Sequence, residues 1–330
     1  MSTSAQARIA VVMPCFRTGA RALQVLSRIG PGVGWIFVVD DACPDHTGDQ
    51  VEAGCNDPRV RVLRHAENQG VGGATLTGYR AALESAAEVV VKLDGDGQMD
   101  AQLIPRLAAP ALNGEADYVK GNRFHNLRDV AAMPWIRLFG NAVLSFMTKL
   151  STGYWQLFDP TNGFTAIHRT ALGEIDLDRV ARRYFFESDL LYHLNQVRAV
   201  VVEMPMRAVY ADEASSLRPG RVAGPFLLGH ARNLCRRIVY TYFVRGFSVA
   251  SLALLMSVPL LGFGLVFGLY QWTVSVSTGA TASAGTVMLA ALPILLGAQL
   301  LVSWLSHDMA AEPHRPLQRF HQPTHNASPG

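Results

Sequence analysis

At 330 residues the chain has room for one large domain and a smaller part. A formal charge of +3, from 29 Lys and Arg against 26 Asp and Glu, is too mild to point to nucleic acid. Four scattered cysteines (Cys15, Cys43, Cys55, Cys235) form no C-x-x-C pair, which argues against a disulfide framework or zinc site and for reduced thiols in the cytosol.

Met1 to Arg8 is short and polar, unlike a signal peptide. Ile9 to Met13 is an apolar run ending at Pro14 and predicts a buried strand. Ala20 to Ile29 has helical spacing. "WIFVVDD" predicts a second strand ending at Asp40 and Asp41, and "RVRVLRH" a short third. "NQGVGGATLTGYRAALESA" opens on glycines and settles into a helix, and "EVVVKLDGDGQ" is a fourth strand. This alternation predicts an α/β fold with a mostly parallel sheet, whose ligands bind beyond the carboxyl ends of the strands. Pro14, Asp40, Asp41, Asp94 and Asp96 all fall at such ends.

The fourth strand ends in two carboxylates. Asp94 and Asp96 can reach one cation while Gly95 and Gly97 keep the backbone tight, and Gln98 can add an oxygen or a hydrogen bond. Mg2+ and Mn2+ are hard cations that take one or two carboxylates together with substrate phosphates, so a metal-bridged diphosphate accounts for this pattern. Asp40 or Asp41 can accept from a base or ribose, with capping or a turn as the alternative for either. The glycine-rich helix start offers amides to an anion, but it is neither a P-loop nor a dinucleotide fingerprint.

Further on, a helix is expected near Ala101 to Ala109, a strand around Tyr118 to Lys120 and a helix from Pro134 to about Thr148. A helix around Phe186 to Asn195 and the strand "AVVVEMPM" follow. Residues 225–247 place arginines between Phe226, Leu227, Leu234, Ile238 and Tyr242, an amphipathic pattern suited to an anionic membrane face. Residues 248–270 and 283–305 carry no charge, and each exceeds the roughly 20 residues that a bilayer requires. Arg232, Arg236, Arg237 and Arg245 precede the pair, and Arg315 and Arg319 follow it. The hairpin is therefore expected in the cytoplasmic membrane, with residues 1–224 and both termini on the cytoplasmic side. Its two helices leave faces that can pair with another protomer. The Pro- and His-containing tail, 306–330, reads as disordered.

"VVMPCFR", "VVDDACPDHTGD", "NQGVGGATLTGYRAAL" and "KLDGDGQMD" together resemble glycosyltransferase family two, with its Rossmann-like GT-A fold. "GNRF", "MPWIRLFGN", "FDPTNGFTAIHR" and "ASSLRPGRV" resemble its polyprenyl-phosphate sugar transferases, the group of dolichol-phosphate mannose synthase. The resemblance covers about residues 9–222. It implies an inverting enzyme that moves one sugar from a nucleotide diphosphate sugar, of the UDP-glucose or GDP-mannose type, to a polyprenyl phosphate. It places Pro14, Phe16 and Asp41 in the nucleotide pocket, with Gly95 beside them. Asp94, Asp96 and Gln98 would hold Mg2+ or Mn2+ and the diphosphate. Arg123 and Arg137 would grip the acceptor phosphate, Arg218 would lie over the diphosphate, and Asp159 would orient acceptor or sugar, with capping its alternative. A processive polysaccharide synthase is the competing enzyme reading, but Q-x-x-R-W is missing from the sequence. A non-catalytic nucleotide-binding protein is opposed by the intact Asp94 and Asp96.

Overall fold

The computed structural model describes residues 8–124, 135–206 and 219–321, the side chains of 136–137, 219–223 and 321 excepted. Two compact units emerge, one of residues 1–234 and 313–330, the other of residues 235–312.

The first unit is built on a seven-stranded sheet of order β3-β2-β1-β4-β6-β5-β7. Its strands are β1 (Ile9–Cys15), β2 (Val33–Asp40), β3 (Val60–Arg64), β4 (Val89–Lys92), β5 (Tyr118–Asn122), β6 (Thr165–His168) and β7 (Val201–Pro205). β1 to β4 pair in parallel, β6 runs antiparallel to β4 and β5, and β7 is parallel to β5. β1 is buried throughout, as a strand covered on both faces must be. Its alternate residues feed two cores: Val11 and Met13 face one, Ala10 and Val12 the other. Helices α1 (Ala20–Leu26), α2 (Thr47–Gly54), α3 (Gly70–Leu83) and α4 (Ile104–Leu112) follow the strands. α3 lies close on β1 because Gly78 has no side chain: a Cβ there would fall 2.2 Å from Val12 Cγ1.

The unit continues with α5 (Trp135–Thr152), α6 (Arg169–Glu174), α7 (Phe186–Gln196) and most of α8 (Pro219–Ile238), whose residues from Cys235 on belong to the second unit. α5 exposes Trp135, Leu138, Phe139, Val143 and Phe146 at helical spacing.

In the second unit a π-helical turn, Val239–Val244, precedes α9 (Val249–Thr278) and α10 (Ala284–Ala310). Both helices are long and apolar enough to cross a membrane, with mean hydropathy 2.3 and 2.0. They run antiparallel and approach closely at glycines: a Cβ on Gly264 would lie 2.9 Å from the Ala290 carbonyl, and one on Gly297 3.0 Å from the Leu261 amide. Arg237 and Asp308 form a buried ion pair at 2.6 Å that also takes the Tyr242 hydroxyl.

The tail corrects the expectation of disorder from 306. Residues 306–310 complete α10, and α11 (Gln318–His321) is a short helix of the first unit. Leu317 N–H donates to both oxygens of Asp117, at 2.9 and 3.0 Å, and Gln318 Nε2 donates to the Ala111 and Ala116 carbonyls, each at 2.9 Å. Asp117 and those carbonyls are internal acceptors that need donors, and this segment supplies them. Residues 322–330 lie outside the described residues.

Candidate active site

The parallel strands end on one edge of the sheet, where the loops concentrate backbone strain. Arg17, Ala42 and His46 all have positive φ, between 51° and 56°, in the two loops that follow β1 and β2. Pro14 is buried at the end of β1, and Phe16 beyond it is 44% exposed, with the Arg17 guanidinium 5.4 Å from its ring centre.

Asp40 and Asp41 are buried and heavily engaged. Asp40 accepts from the N–H of Cys43 at 2.7 Å and of Gly48 at 2.6 Å, which folds the loop back into α2. Asp41 accepts from the N–H of Gln69 and Gly70, each at 2.8 Å, at the start of α3. The same carboxylate meets His65 Nδ1 at 2.7 Å, and His65 Nε2 meets Thr77 Oγ1 at 2.8 Å. In this geometry Asp41 ties the end of β2 to the glycine-rich helix start.

Beyond β4 the chain makes the D-G-D-G-Q turn. Asp96 Oδ1 accepts from Gln98 N–H at 3.0 Å, and Gly97 has φ +80°. Gly95 lies against Cys15: a Cβ would come 2.9 Å from its Sγ. Burial pushes the Cys15 thiol up to about 12. Asp94 Oδ1 receives the ammonium of Lys92 at 2.8 Å, and Glu187, in the first turn of α7, stands 3.5 Å from the same nitrogen. Burial alone would lower the Lys92 pKa, but Asp94 and Glu187 raise it above the ordinary lysine value.

The next cluster lies on β5 and the 159–164 loop. Arg123 forks onto Asp159, Nε to Oδ2 at 2.8 Å and Nη2 to Oδ1 at 3.0 Å, and stacks on Phe124 at 5.7 Å. Asp159 is fully buried, and its own N–H donates to Glu203 Oε1 at 2.8 Å. Burial raises the Glu203 pKa. Lys120, also fully buried, donates to the Asn162 carbonyl, and burial brings its pKa down to about 8. Lys92 donates to the neighbouring Gly163 carbonyl at 3.4 Å. Buried ammoniums from β4 and β5 thus hold consecutive carbonyls of one loop, and that loop connects the Asp94 turn to the Arg123–Asp159 pair.

The structure therefore joins Asp94, Asp96 and Gln98 in one turn and pairs Arg123 with Asp159. Arg137 lies in α5, its side chain outside the described residues, and Arg218 is outside them altogether. Lys92, Lys120, Gly163 and Glu203 were not singled out from sequence. The available signal was a lysine at an inward-facing position in a valine-rich strand. Among the described residues no three His, Cys, Asp or Glu converge on a metal site. Asp94 and Asp96 do supply the hard oxygens that Mg2+ or Mn2+ takes beside substrate phosphates, and Gly163 keeps a Cβ, which would lie 2.8 Å from Asp94 Oδ2, out of that space. The residues present fit such an ion.

The chain is similar in sequence and fold to known sugar transferases. The chain is 33% identical over 154 residues to the UDP-N-acetylglucosamine–dolichyl-phosphate N-acetylglucosaminyltransferase of Methanococcus voltae, a match covering 47% of this chain and only 61% of that relative. It is 29% identical over 229 residues to the undecaprenyl-phosphate mannosyltransferase of Micrococcus luteus, covering 68% of this chain and 93% of the relative. Among solved structures, glucosyl-3-phosphoglycerate synthase of Mycobacterium tuberculosis, in complex with Mn2+, UDP and phosphoglyceric acid, superposes with a TM-score of 0.51 at 20% identity. That match covers 71% of this chain and 79% of the other, a likeness of fold. Residues 11–176 match the family model for glycosyl transferase family 2. The chain belongs to glycosyl transferase family 2 and is a glycosyltransferase.

Proposed function

We propose that the protein transfers one sugar from a nucleotide diphosphate sugar, of the UDP-glucose, GDP-mannose or UDP-amino-sugar type, to a polyprenyl phosphate at the cytoplasmic membrane face. The observation that carries this reading is the Arg123–Asp159 fork, which shares the 159–164 loop with the Asp94–Asp96 turn. A guanidinium held in plane suits a phosphate, and a carboxylate turn suits a diphosphate with its metal. The named relatives act on dolichyl and undecaprenyl phosphate, and α9 and α10 suit an enzyme working at a bilayer. The arginines flanking the hairpin support a cytoplasmic catalytic unit.

The acceptor phosphate oxygen attacks the anomeric carbon and forms the new C–O bond. The bond from that carbon to the donor diphosphate breaks on the opposite face, and its electron pair leaves on the nucleotide diphosphate. One displacement inverts the anomeric centre. The acceptor is already an anion, so no base has to remove a proton from it. Asp159 instead holds Arg123 in place for the phosphate, with Arg137 and Arg218 as further guanidiniums for the two phosphate groups. Asp94, Asp96 and Gln98 would hold Mg2+ or Mn2+, which when bound neutralises charge building on the leaving diphosphate.

The test is a donor screen. Purified protein is given polyprenyl phosphate, Mn2+ and each radiolabelled nucleotide sugar, and the lipid phase is extracted. A single sugar on lipid from one donor is expected. A polymer, or no labelled lipid from any donor, would overturn the proposal.

A further inference from the structure

The D-G-D-G-Q turn rests on a residue that sugar transfer, as described above, does not use. Lys92 is 1% exposed, with its ammonium 2.8 Å from Asp94 Oδ1, 3.4 Å from the Gly163 carbonyl and 3.5 Å from Glu187 Oε1. Space around it is tight, since a Cβ on Gly163 would lie 2.6 Å from Nζ. Burying an ammonium is costly, and an apolar side chain of similar length would fill the same volume without that cost. The charge itself therefore calls for an account.

Two features limit how well the protein alone can bind a divalent cation. Among the described residues no three His, Cys, Asp or Glu converge. Of the two carboxylates in the turn, Asp94 is already matched by an ammonium, and a positive charge shielded from solvent repels a second cation more strongly than one in water does.

Resting on the metal-bridged reading above, we propose that Lys92 is a positioning residue that makes metal binding conditional on the diphosphate. Its buried charge holds Asp94 in place and opposes a free divalent cation, and the negative charge of a nucleotide diphosphate offsets that opposition. Asp94 is then divided between ion and ammonium, with Asp96 as the second carboxylate of the turn. When the nucleotide diphosphate leaves, Lys92 weakens the hold on the ion, so the two depart together.

The test is a Mn2+ titration of the full chain in detergent, followed by the paramagnetic resonance signal of free Mn2+, with and without UDP or GDP. Wild type is expected to bind Mn2+ weakly alone and much more tightly with nucleotide. Lys92→Met is expected to bind Mn2+ alone about tenfold more tightly than wild type or better, as removal of a nearby buried cation predicts. Adding Asp96→Ala to Lys92→Met is expected to abolish that gain. A merely structural lysine would give the opposite, a loss of affinity in both conditions. If Lys92→Met does not fold, Lys92→Gln, which also removes the positive charge but keeps a donor for Asp94, carries the same expectation. Mn2+ binding by the variant no tighter than wild type overturns the role of Lys92. Wild type that takes up no Mn2+ even with UDP or GDP overturns the metal reading itself, so the two failures are told apart.

Discussion

Arg123 and Asp159 face each other in a two-bond fork, Nε to Oδ2 at 2.8 Å and Nη2 to Oδ1 at 3.0 Å, and the Arg123 backbone N–H adds a third bond to Oδ2 at 3.1 Å. The carboxylate is fully buried, whereas the guanidinium side chain keeps 35% of its surface. The buried partner therefore sets the plane of the exposed one.

Asp159→Asn keeps the shape and loses the charge, placing an NH2 against a guanidinium donor. The expected outcome is a fall in kcat/KM for polyprenyl phosphate of about 10- to 100-fold, or roughly 1.4–2.8 kcal/mol. The donor KM should stay within about twofold. Kinetics with each substrate varied in turn checks this, and equal losses on both substrates would count against an acceptor-side role.

Gly163→Ala tests the junction between the two clusters. The new methyl would sit 2.6 Å from Lys92 Nζ and 2.8 Å from Asp94 Oδ2, so the loop or the ion pair must shift, at about 1–3 kcal/mol. Transfer activity should drop by more than about tenfold, because displacing reacting groups by even an ångström is costly. Gly173→Ala is the control: nothing lies within 4 Å of its Cβ, and both stability and activity should stay near wild type.

The strand ends were legible because burial on both faces leaves continuous valine runs and because D-G-D-G breaks such a run abruptly. The reversal at β6 was not legible: Thr165 pairs with both Lys92 and Lys120, and neither partner is near it in sequence. The burial of Lys92 and Lys120 is not legible in sequence because lysine is ordinarily a surface residue; it depends on carbonyls and carboxylates supplied by the 159–164 loop and α7. Asp41 could be placed at the ligand edge from its position after β2. Its bonds to Gln69, Gly70 and His65 depend on where the chain returns some two dozen residues later. The tail looked disordered by composition because its partners, Asp117 and the 111–116 carbonyls, lie about 200 residues away.

His230 on α8 gives a pH prediction. It is 3% exposed, its Nδ1 pairs with Ser151 Oγ at 2.8 Å, and the Phe185 ring centre stands 5.0 Å away. Burial lowers its pKa to about 4 from 6.5. The folded value lies below the unfolded one, so the unfolded chain takes up the proton first as pH falls. The contribution is fully present above pH 6.5 and is lost between 6.5 and about 4, amounting to about 3 kcal/mol. Thermal midpoints measured across that range should fall more steeply for wild type than for His230→Phe with Ser151→Ala. Parallel curves would contradict it.

The segment after α10 gives the last prediction. Asp117 is fully buried and accepts from Val200 N–H at 2.8 Å as well as from Leu317 N–H. Ending the chain at Glu312 removes Leu317, Gln318 and Arg319 together. Asp117 then keeps Val200 and loses a donor, and the Ala111, Ala116 and Gly114 carbonyls lose theirs. At roughly 1 kcal/mol for each bond lost, the expected cost is about 2–4 kcal/mol. For a unit of this size that lowers the melting temperature by roughly 5–15 °C. Arg319→Ala alone removes one partly exposed bond, to Gly114 at 2.7 Å, and should cost under about 1 kcal/mol. Gln318→Leu keeps the bulk but strips two internal carbonyls of their donor, so it should fall between the two. A truncated chain that melts with wild type would mean that water replaces these donors at no cost, and that the segment rests on the domain without stabilising it.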